Sequence, residues 1–367
     1  MNKYDIAAFV WPAYTGDEKR TRIFWPEGIG EWETVKNSKP KQCGYYWSRK
    51  PVWGYVNEAD PYVMSMQIDA AADHGVNVFI YDWYWYDGRP FLENCLKDGF
   101  LKAPNNKRMK FYIMWANHDV NYLWDKRNAG KAESTIWTGA VDRNQFEKIG
   151  RRWIDEYFCC DNYYMIDGKP VICLYELYNL VCGLGGVENT ADALCWLDNE
   201  AKKAGYNGVH FQYICRSGNN EGLDGIESGT MTTNAEVLHK IGVSSVTNYQ
   251  FVSMTDIDRD YLEILEDVKK VWEDNGNVYK MPYYPHVAIG WDNNLRFEQF
   301  KEGIIKNNTP ENFEKALRAV KEFADEKGVS LITINSWNEW TEGSYLQPDD
   351  LYGYGYLEAV KKVFCEE

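Results

Sequence analysis

The 367-residue chain has no cluster of Lys and Arg: 40 basic side chains stand against 55 acidic ones, a formal net charge of −15. Nucleic acids and anionic membrane surfaces are bound through basic patches, so neither is expected as a partner. Long apolar runs are missing too. The longest are strand-sized, which argues against membrane insertion by a helix. Histidine is scarce, with five in the chain, and none falls in an HExxH or comparable spacing. The nine cysteines contain no CxxC pair, so no metal and no cofactor is expected. Cys173, Cys195 and Cys215 lie in apolar segments, where a thiol acts as a small hydrophobe. An odd count with an adjacent Cys159-Cys160 pair fits reduced thiols better than a disulfide framework. No signal peptide is read in Met1-Asn2-Lys3-Tyr4-Asp5, so the expected location is cytoplasmic, or periplasmic if a signal has been removed.

Aromatics, in contrast, are abundant: 16 Trp, 27 Tyr and 15 Phe. Many sit in polar company, as in Asp82-Trp83-Tyr84-Trp85-Tyr86-Asp87. Aromatic faces stack on the apolar faces of sugar rings, and their polar edges supply hydrogen bonds. Most of these side chains belong to the core all the same.

Eight segments read as buried strands: Asp5–Trp11, Val76–Trp83, Lys110–Trp115, Pro170–Tyr175, Gly208–Cys215, Ser245–Tyr249, Tyr279–Val287 and Leu331–Trp337. Helical spacing of apolar residues marks Pro61–His74, Asn144–Phe158, Ala191–Ala204, Arg259–Glu273, Glu311–Lys327 and Gly355–Val363. Gly75, Gly205 and Gly328 each follow a last helical turn. Strand and helix alternating in this way predict a (β/α)8 TIM barrel, an α/β fold. The competing doubly wound sheet opens with a glycine-rich turn, and Trp11-Pro12-Ala13-Tyr14 is not one. No linker interrupts residues 1–367, which are read as a single catalytic domain. A long aromatic-rich insertion, residues 12 to about 60, is expected to fold over the barrel mouth.

Active sites of such barrels form at the C-terminal ends of the strands. Here those ends carry Asp82, Trp83 and Trp85, then Trp115, Asn117 and His118, then Glu176, Arg216 and Tyr249. Further along come Tyr284, His286, Trp291 and Asp292, and finally Trp337 and Asn338. Each has a structural alternative. Asp82 can cap a turn, His118 can be a satisfied structural group, and Glu176 can pair with Arg216. Asp292-Asn293-Asn294 fits an Asx-type turn as well as a sugar-hydroxyl site. Trp83, Trp85 and Trp115 can be rim packing rather than sugar platforms.

The strongest signal is Asn338-Glu339-Trp340-Thr341-Glu342-Gly343 after the apolar strand. In an extended strand the two glutamates would stand roughly 10 Å apart and point in opposite directions. A turn, which Gly343 permits, brings both carboxyls to one cavity. There they suit acid/base work on a glycosidic bond, which needs a proton donor at the leaving oxygen and a second carboxylate.

These pieces together resemble the WbsX-like proteins, which are related to the family 99 glycoside hydrolases. The matching stretches are Gly30-Glu31-Trp32-Glu33, Gly75 to Tyr81, Trp115-Ala116-Asn117, Gly290-Trp291-Asp292-Asn293 and Trp337 to Gly343. The resemblance implies the barrel and retaining cleavage of α-linked sugars, mannosides among them. It implies that Glu339 acts as base on the sugar's 2-hydroxyl, giving an epoxide-like intermediate. Glu342 is then the general acid, and later the base for water. The substrate implied is an oligosaccharide or polysaccharide. One departure is Thr341, where the family 99 enzymes carry histidine. The alternatives are a polysaccharide-biosynthesis glycosyltransferase and a non-catalytic carbohydrate-binding barrel. Asp256-Ile257-Asp258 has the spacing of a transferase metal motif, but it stands where a helix begins and is read as a cap.

Overall fold

A computed structural model describes residues 3–16, 18–41, 49–128, 134–216, 223 and 225–366. Eight strands form the barrel: β1 (Asp5–Val10), β2 (Val78–Tyr86), β3 (Lys110–Trp115), β4 (Lys169–Leu174), β5 (His210–Ile214), β6 (Ser245–Thr247), β7 (His286–Ala288) and β8 (Leu331–Asn335). All neighbours are parallel, and β1 lies between β2 and β8. The seam between β6 and β7 is held just before β7. Val246 N–H donates to Pro282 O at 3.0 Å, and Tyr284 N–H donates to Val246 O at 2.9 Å. The expected TIM-barrel fold is therefore present.

Helices α1 (Pro61–Asp73), α2 (Arg143–Arg152), α3 (Val187–Lys203), α4 (Asn234–Ile241), α5 (Tyr261–Tyr279), α6 (Pro310–Lys327) and α7 (Gly355–Phe364) accompany the strands. Local chemistry starts them. Asp60 caps α1 with Pro61 in the first turn, Thr233 and Glu236 form a capping box on α4, and Thr309 caps α6 ahead of Pro310. The short helices Leu177–Leu184 and Asn234–Ile241 were not expected, since eight residues carry too few turns for a clear period.

Most strand limits fall within two residues of expectation, and two differ by more. The second strand runs on to Tyr86 and returns through Asp87-Gly88 to Arg89–Phe91. Both turn residues have positive φ, 54° and 73°, as the favoured two-residue hairpin requires. The seventh strand shortens to His286–Ala288, because Tyr279 still belongs to α5 and Lys280 ends that helix in a left-handed conformation. Asp256 and Asp258 lie ahead of α5, whose cap is Asp260 rather than either of them.

Pleating decides which side chains reach the mouth. Along β2, Asp82 and Tyr84 face the cavity described below, whereas Trp83 and Trp85 face the helices. Trp83 meets Trp153 edge-on at 5.6 Å, and Trp85 Nε1 donates to Gln145 Oε1 at 3.2 Å. The insertion packs onto the mouth through Tyr14, Trp32 and Glu31; its residues 17 and 42–48 lie outside those described.

Candidate active site

At the C-terminal ends of the strands lies a cavity of about 250 Å³. Its walls are Trp11, Asp82, Tyr84, Met114, Ala116, His118, Leu123, Trp124, Tyr175, Arg216, Tyr249, Arg296, Glu339 and Glu342. After β8, Asn338–Glu339 pairs antiparallel with Ser344–Tyr345 around a single 3-10 turn, Trp340–Glu342. This turn delivers both glutamates to one cavity, and Gly343 closes it at a φ of 66°.

The loop is fastened from behind. Asn338 accepts from Trp11 N–H at 2.7 Å and donates to Trp11 O at 2.8 Å and Glu58 Oε2 at 2.9 Å. Trp340 stacks on Tyr345 at 3.8 Å and donates to Gln347 Oε1 at 2.6 Å. Glu58 also receives Gln347 and Gln67, yet burial pushes its carboxyl up to about 7. Thr341 is fully buried and is not part of the cavity wall.

Arg296 supplies the central cation. Its Nη1 donates to Glu342 Oε1 at 2.6 Å, its Nε to Glu31 Oε1 at 3.2 Å, and its Nη2 lies 3.8 Å from Glu339 Oε2. Burial opposes its charge, but Glu31, Glu342 and Glu339 outweigh that and hold the guanidinium ionised. Glu31 also accepts from Trp11 Nε1 at 2.6 Å. Gly30 makes this approach possible: a Cβ there would meet Ala13 O at 1.8 Å, and its φ is 61°.

One guanidinium thus meets three carboxyls, the buried Glu31 and Glu339 and the partly exposed Glu342, while the buried Asp82 lines the same cavity. Burial is the main force raising Glu339, with Glu342, Asp82 and Glu31 adding to it and Arg296 opposing. Glu342 is raised by burial against the pull of Arg296, and Asp82 by burial against the hydrogen bond from Tyr249. The hydroxyl of Tyr249 lies 2.8 Å from Glu339 Oε1 and 3.0 Å from Asp82 Oδ2. One hydroxyl hydrogen satisfies only one of these contacts. For both to be hydrogen bonds, Asp82 or Glu339 must carry a proton. The second oxygens, Asp82 Oδ1 and Glu339 Oε2, have no hydrogen-bond partner among the described residues, so a ligand's hydroxyls have acceptors waiting.

The family model described as "Glycosyltransferase WbsX" matches residues 6–360. The chain belongs to that family. It is 25% identical over 346 residues to "Uncharacterized protein WxcX" of Xanthomonas campestris pv. campestris, covering 92% of this chain and 46% of that protein. It therefore spans about half the length of the curated relatives it matches. Among solved structures it is similar to the GH99 endo-alpha-mannosidase from Bacteroides thetaiotaomicron, with a TM-score of 0.60 and 14% identity over 100% of this chain and 98% of that one. A "Glycoside hydrolase-like protein" gives a TM-score of 0.61 at 15% identity, covering 99% and 94%. At these identities the likeness is one of fold.

Of the residues expected from sequence, this WbsX-family barrel brings Asp82, His118, Tyr249, Glu339 and Glu342 to one cavity, with Trp291 on an adjoining one. The His118 imidazole, held below its usual pKa by burial, turns Nδ1 to Asp119 O at 2.9 Å. Glu176 does pair with Arg216.

The other expected binding residues lie elsewhere. Trp83, Trp85 and Trp115 pack between barrel and helices, Trp115 against Phe146 and Trp153 at 6.0 and 5.6 Å, because they sit on the outward phase of their strands. Trp337 is outward as well, donating to Gln67 at 2.8 Å. Asn117 is a buried clasp on the backbone of Glu176, and Asn338 a clasp on Trp11. His286 is fully buried against Thr333 at 2.9 Å, and burial lowers its imidazole to about 3. Tyr284 lies near His210 at the start of β5, away from the mouth. Asp292 forms the Asx turn, accepting from Asn294 N–H at 3.0 Å, and this turn presents Arg296. Arg296, Glu31 and Trp11 escaped the sequence reading as site residues, and Tyr84 and Tyr175, though at strand ends, were not singled out. Only the Gly30-Glu31 step hinted at one of them.

Proposed function

We propose that the chain is a retaining glycoside hydrolase acting on α-linked sugars of an oligosaccharide or polysaccharide, with residues 1–367 as one catalytic barrel domain. The reading is carried by Glu339 and Glu342 flanking Arg296 in a cavity that also holds Asp82 and Tyr249. Glu339 takes the proton of the sugar's 2-hydroxyl while Glu342 protonates the leaving oxygen. The 2-oxygen bonds to the anomeric carbon as the glycosidic bond breaks. Glu342 then removes a proton from water, whose oxygen opens the strained ring, and Glu339 returns its proton to the 2-oxygen.

Contact with Arg296 favours the ionised form of Glu342, and Glu339 is the more strongly raised. The sugar reverses that order. A 2-hydroxyl donating to Glu339 stabilises its carboxylate, and a glycosidic oxygen accepting from Glu342 stabilises its acid form. The test is mass spectrometry of products from α-linked mannosides, rhamnosides, galactosides and glucosides, without nucleotide sugar, beside Glu342→Gln. Shortened sugars from the wild type alone support the reading, and the same products from both proteins overturn it.

A second reading is transfer to a sugar, favoured by the family's description as a glycosyltransferase. It needs only that a sugar hydroxyl replace water in the second half-reaction. Turnover that requires a nucleotide sugar would favour it in its biosynthetic form.

A further inference from the structure

Glu342 borders two chambers. The second, about 160 Å³, shares Tyr175, Arg216, Tyr249 and Glu342 with the first. Asp82 and Glu339 belong to the first chamber only, whereas Trp291, Gln250, Ser253, Val252 and Ile214 belong to the second only. The residue assigned as proton donor therefore stands at the junction, and the residue assigned as base on the 2-hydroxyl stands to one side of it.

We infer that the second chamber is a subsite for a neutral pyranose ring on the leaving-group side of the scissile bond, with Trp291 as its platform. This inference rests on the hydrolase reading above. An indole presents the flat apolar face on which a sugar ring stacks. Gln250 is only 3% exposed, and its amide oxygen has no hydrogen-bond partner among the described residues, so it is an acceptor awaiting a hydroxyl. Its amide nitrogen is engaged by Asn335 Oδ1 at 2.5 Å and also donates to Glu342, and together these fix the direction of that oxygen. Ser253 adds a second small polar group. The charged groups on the wall are committed to each other's neighbours: Arg216 to Glu176, with its guanidinium 5.5 Å over the Tyr175 ring, and Glu342 to Arg296. An uncharged polyol meets these walls without an unpaired charge, whereas an anionic group would face Glu342.

A chain so built cleaves bonds with sugar on both sides. It also holds a sugar where the second half-reaction takes its acceptor. Glu342 carboxylate removes the acceptor hydroxyl's proton, the acceptor oxygen bonds to the anomeric carbon, the carbon's bond to the 2-oxygen breaks, and Glu339 returns its proton to that oxygen.

The experiment compares kcat/KM of the full chain on α-glycosyl fluorides and on the matching α-linked disaccharides of mannose, rhamnose, galactose and glucose. Fluoride leaves without a ring in the second chamber. Trp291→Ala, and Val252→Trp to fill the chamber, are expected to lower the ratio of disaccharide to fluoride turnover at least tenfold. Equal losses on both substrates, or none, overturn the subsite. Crystals of Glu342→Gln soaked with the four methyl α-glycosides give a reading that needs no turnover. A ring against Trp291 supports the inference, and a second chamber left without sugar at saturation overturns it. A wild type that turns over neither substrate class removes the hydrolase reading, and the soaked crystals then decide the subsite by themselves.

Discussion

Arg296 donates through Nη1 to Glu342 Oε1 at 2.6 Å, and both side chains are drawn into the barrel mouth. This contact joins the turn after β7 to the turn after β8. It places the guanidinium among three carboxylates that would otherwise repel one another. Breaking a buried pair by removing one partner is strongly destabilising, whereas an intact pair adds little by itself.

Arg296→Met is accordingly expected to lower the unfolding free energy by about 3–5 kcal/mol. The sign of its pH dependence follows from burial. Burial raises Glu339 and Glu342 and Arg296 opposes it, so without the cation both titrate still higher in the folded state than in the unfolded one. Stability is then greatest below the unfolded carboxylate pKa and declines as pH rises through the folded values. Denaturant unfolding at pH 5 and pH 8 checks this, and a variant that is relatively more stable at pH 8 contradicts it.

Glu342→Gln is expected to keep the fold while reducing turnover on substrates with poor leaving groups by about 10²–10⁴. Substrates whose leaving group needs no proton should suffer less. Parallel kinetics on an oligosaccharide and an activated glycoside, with circular dichroism as the folding control, measure the difference. Equal loss on both would place Glu342 outside the acid role.

Asp82 and Tyr249 make a separate prediction. In Asp82→Asn the amide nitrogen can donate to the Tyr249 hydroxyl, which is then free to donate to Glu339. Asp82→Ala supplies no such donor, and Tyr249→Phe removes the bridge. The Asn variant should therefore retain more activity than the other two, and Tyr249→Phe should fall by about 10². An Asn variant as impaired as Asp82→Ala would show that Asp82 works as a carboxylate instead.

Glu58 sits behind the motif with its carboxyl raised from the ordinary 4.5 to about 7, mainly by burial. A raised folded pKa means stability fully present below about 4.5 and lost as pH climbs toward 7. Glu58→Gln should remove a slope of up to about 1.4 kcal/mol per pH unit across that window. Unfolding free energies of wild type and variant at four pH values give the comparison, and parallel curves would rule the assignment out.

Trp115 is a packing residue by position, wedged against Phe146 and Trp153. Trp115→Ala is expected to cost about 3–5 kcal/mol of stability, as for other large core deletions. Its effect on KM for any cleaved glycan should be small by comparison. A raised KM at unchanged stability would instead return Trp115 to the substrate.

The periodicity of apolar residues, the helix-stopping glycines and the absence of a glycine-rich first turn were enough to determine a (β/α)8 barrel. Each of these acts locally, through sterics and side-chain spacing. The Asn338-Glu339-Trp340-Thr341-Glu342-Gly343 run likewise announced two carboxylates on one turn, since Gly343 adopts the left-handed conformation at its end. Tertiary structure decided which neighbours those carboxylates have. Trp83, Trp85 and Trp115 stand beside polar residues in sequence, but the phase of the pleat turns them toward the helices and leaves Asp82 and Tyr84 in the cavity. Asn117 and Asn338 spend their amides on backbone that is distant in the chain, Trp11 and Glu176 among it. Glu31 and Arg296 are 265 residues apart, and no local pattern signals their meeting. Barrel closure brings the insertion after β1 against the turns after β7 and β8. The site's charge balance exists only once that packing has excluded water.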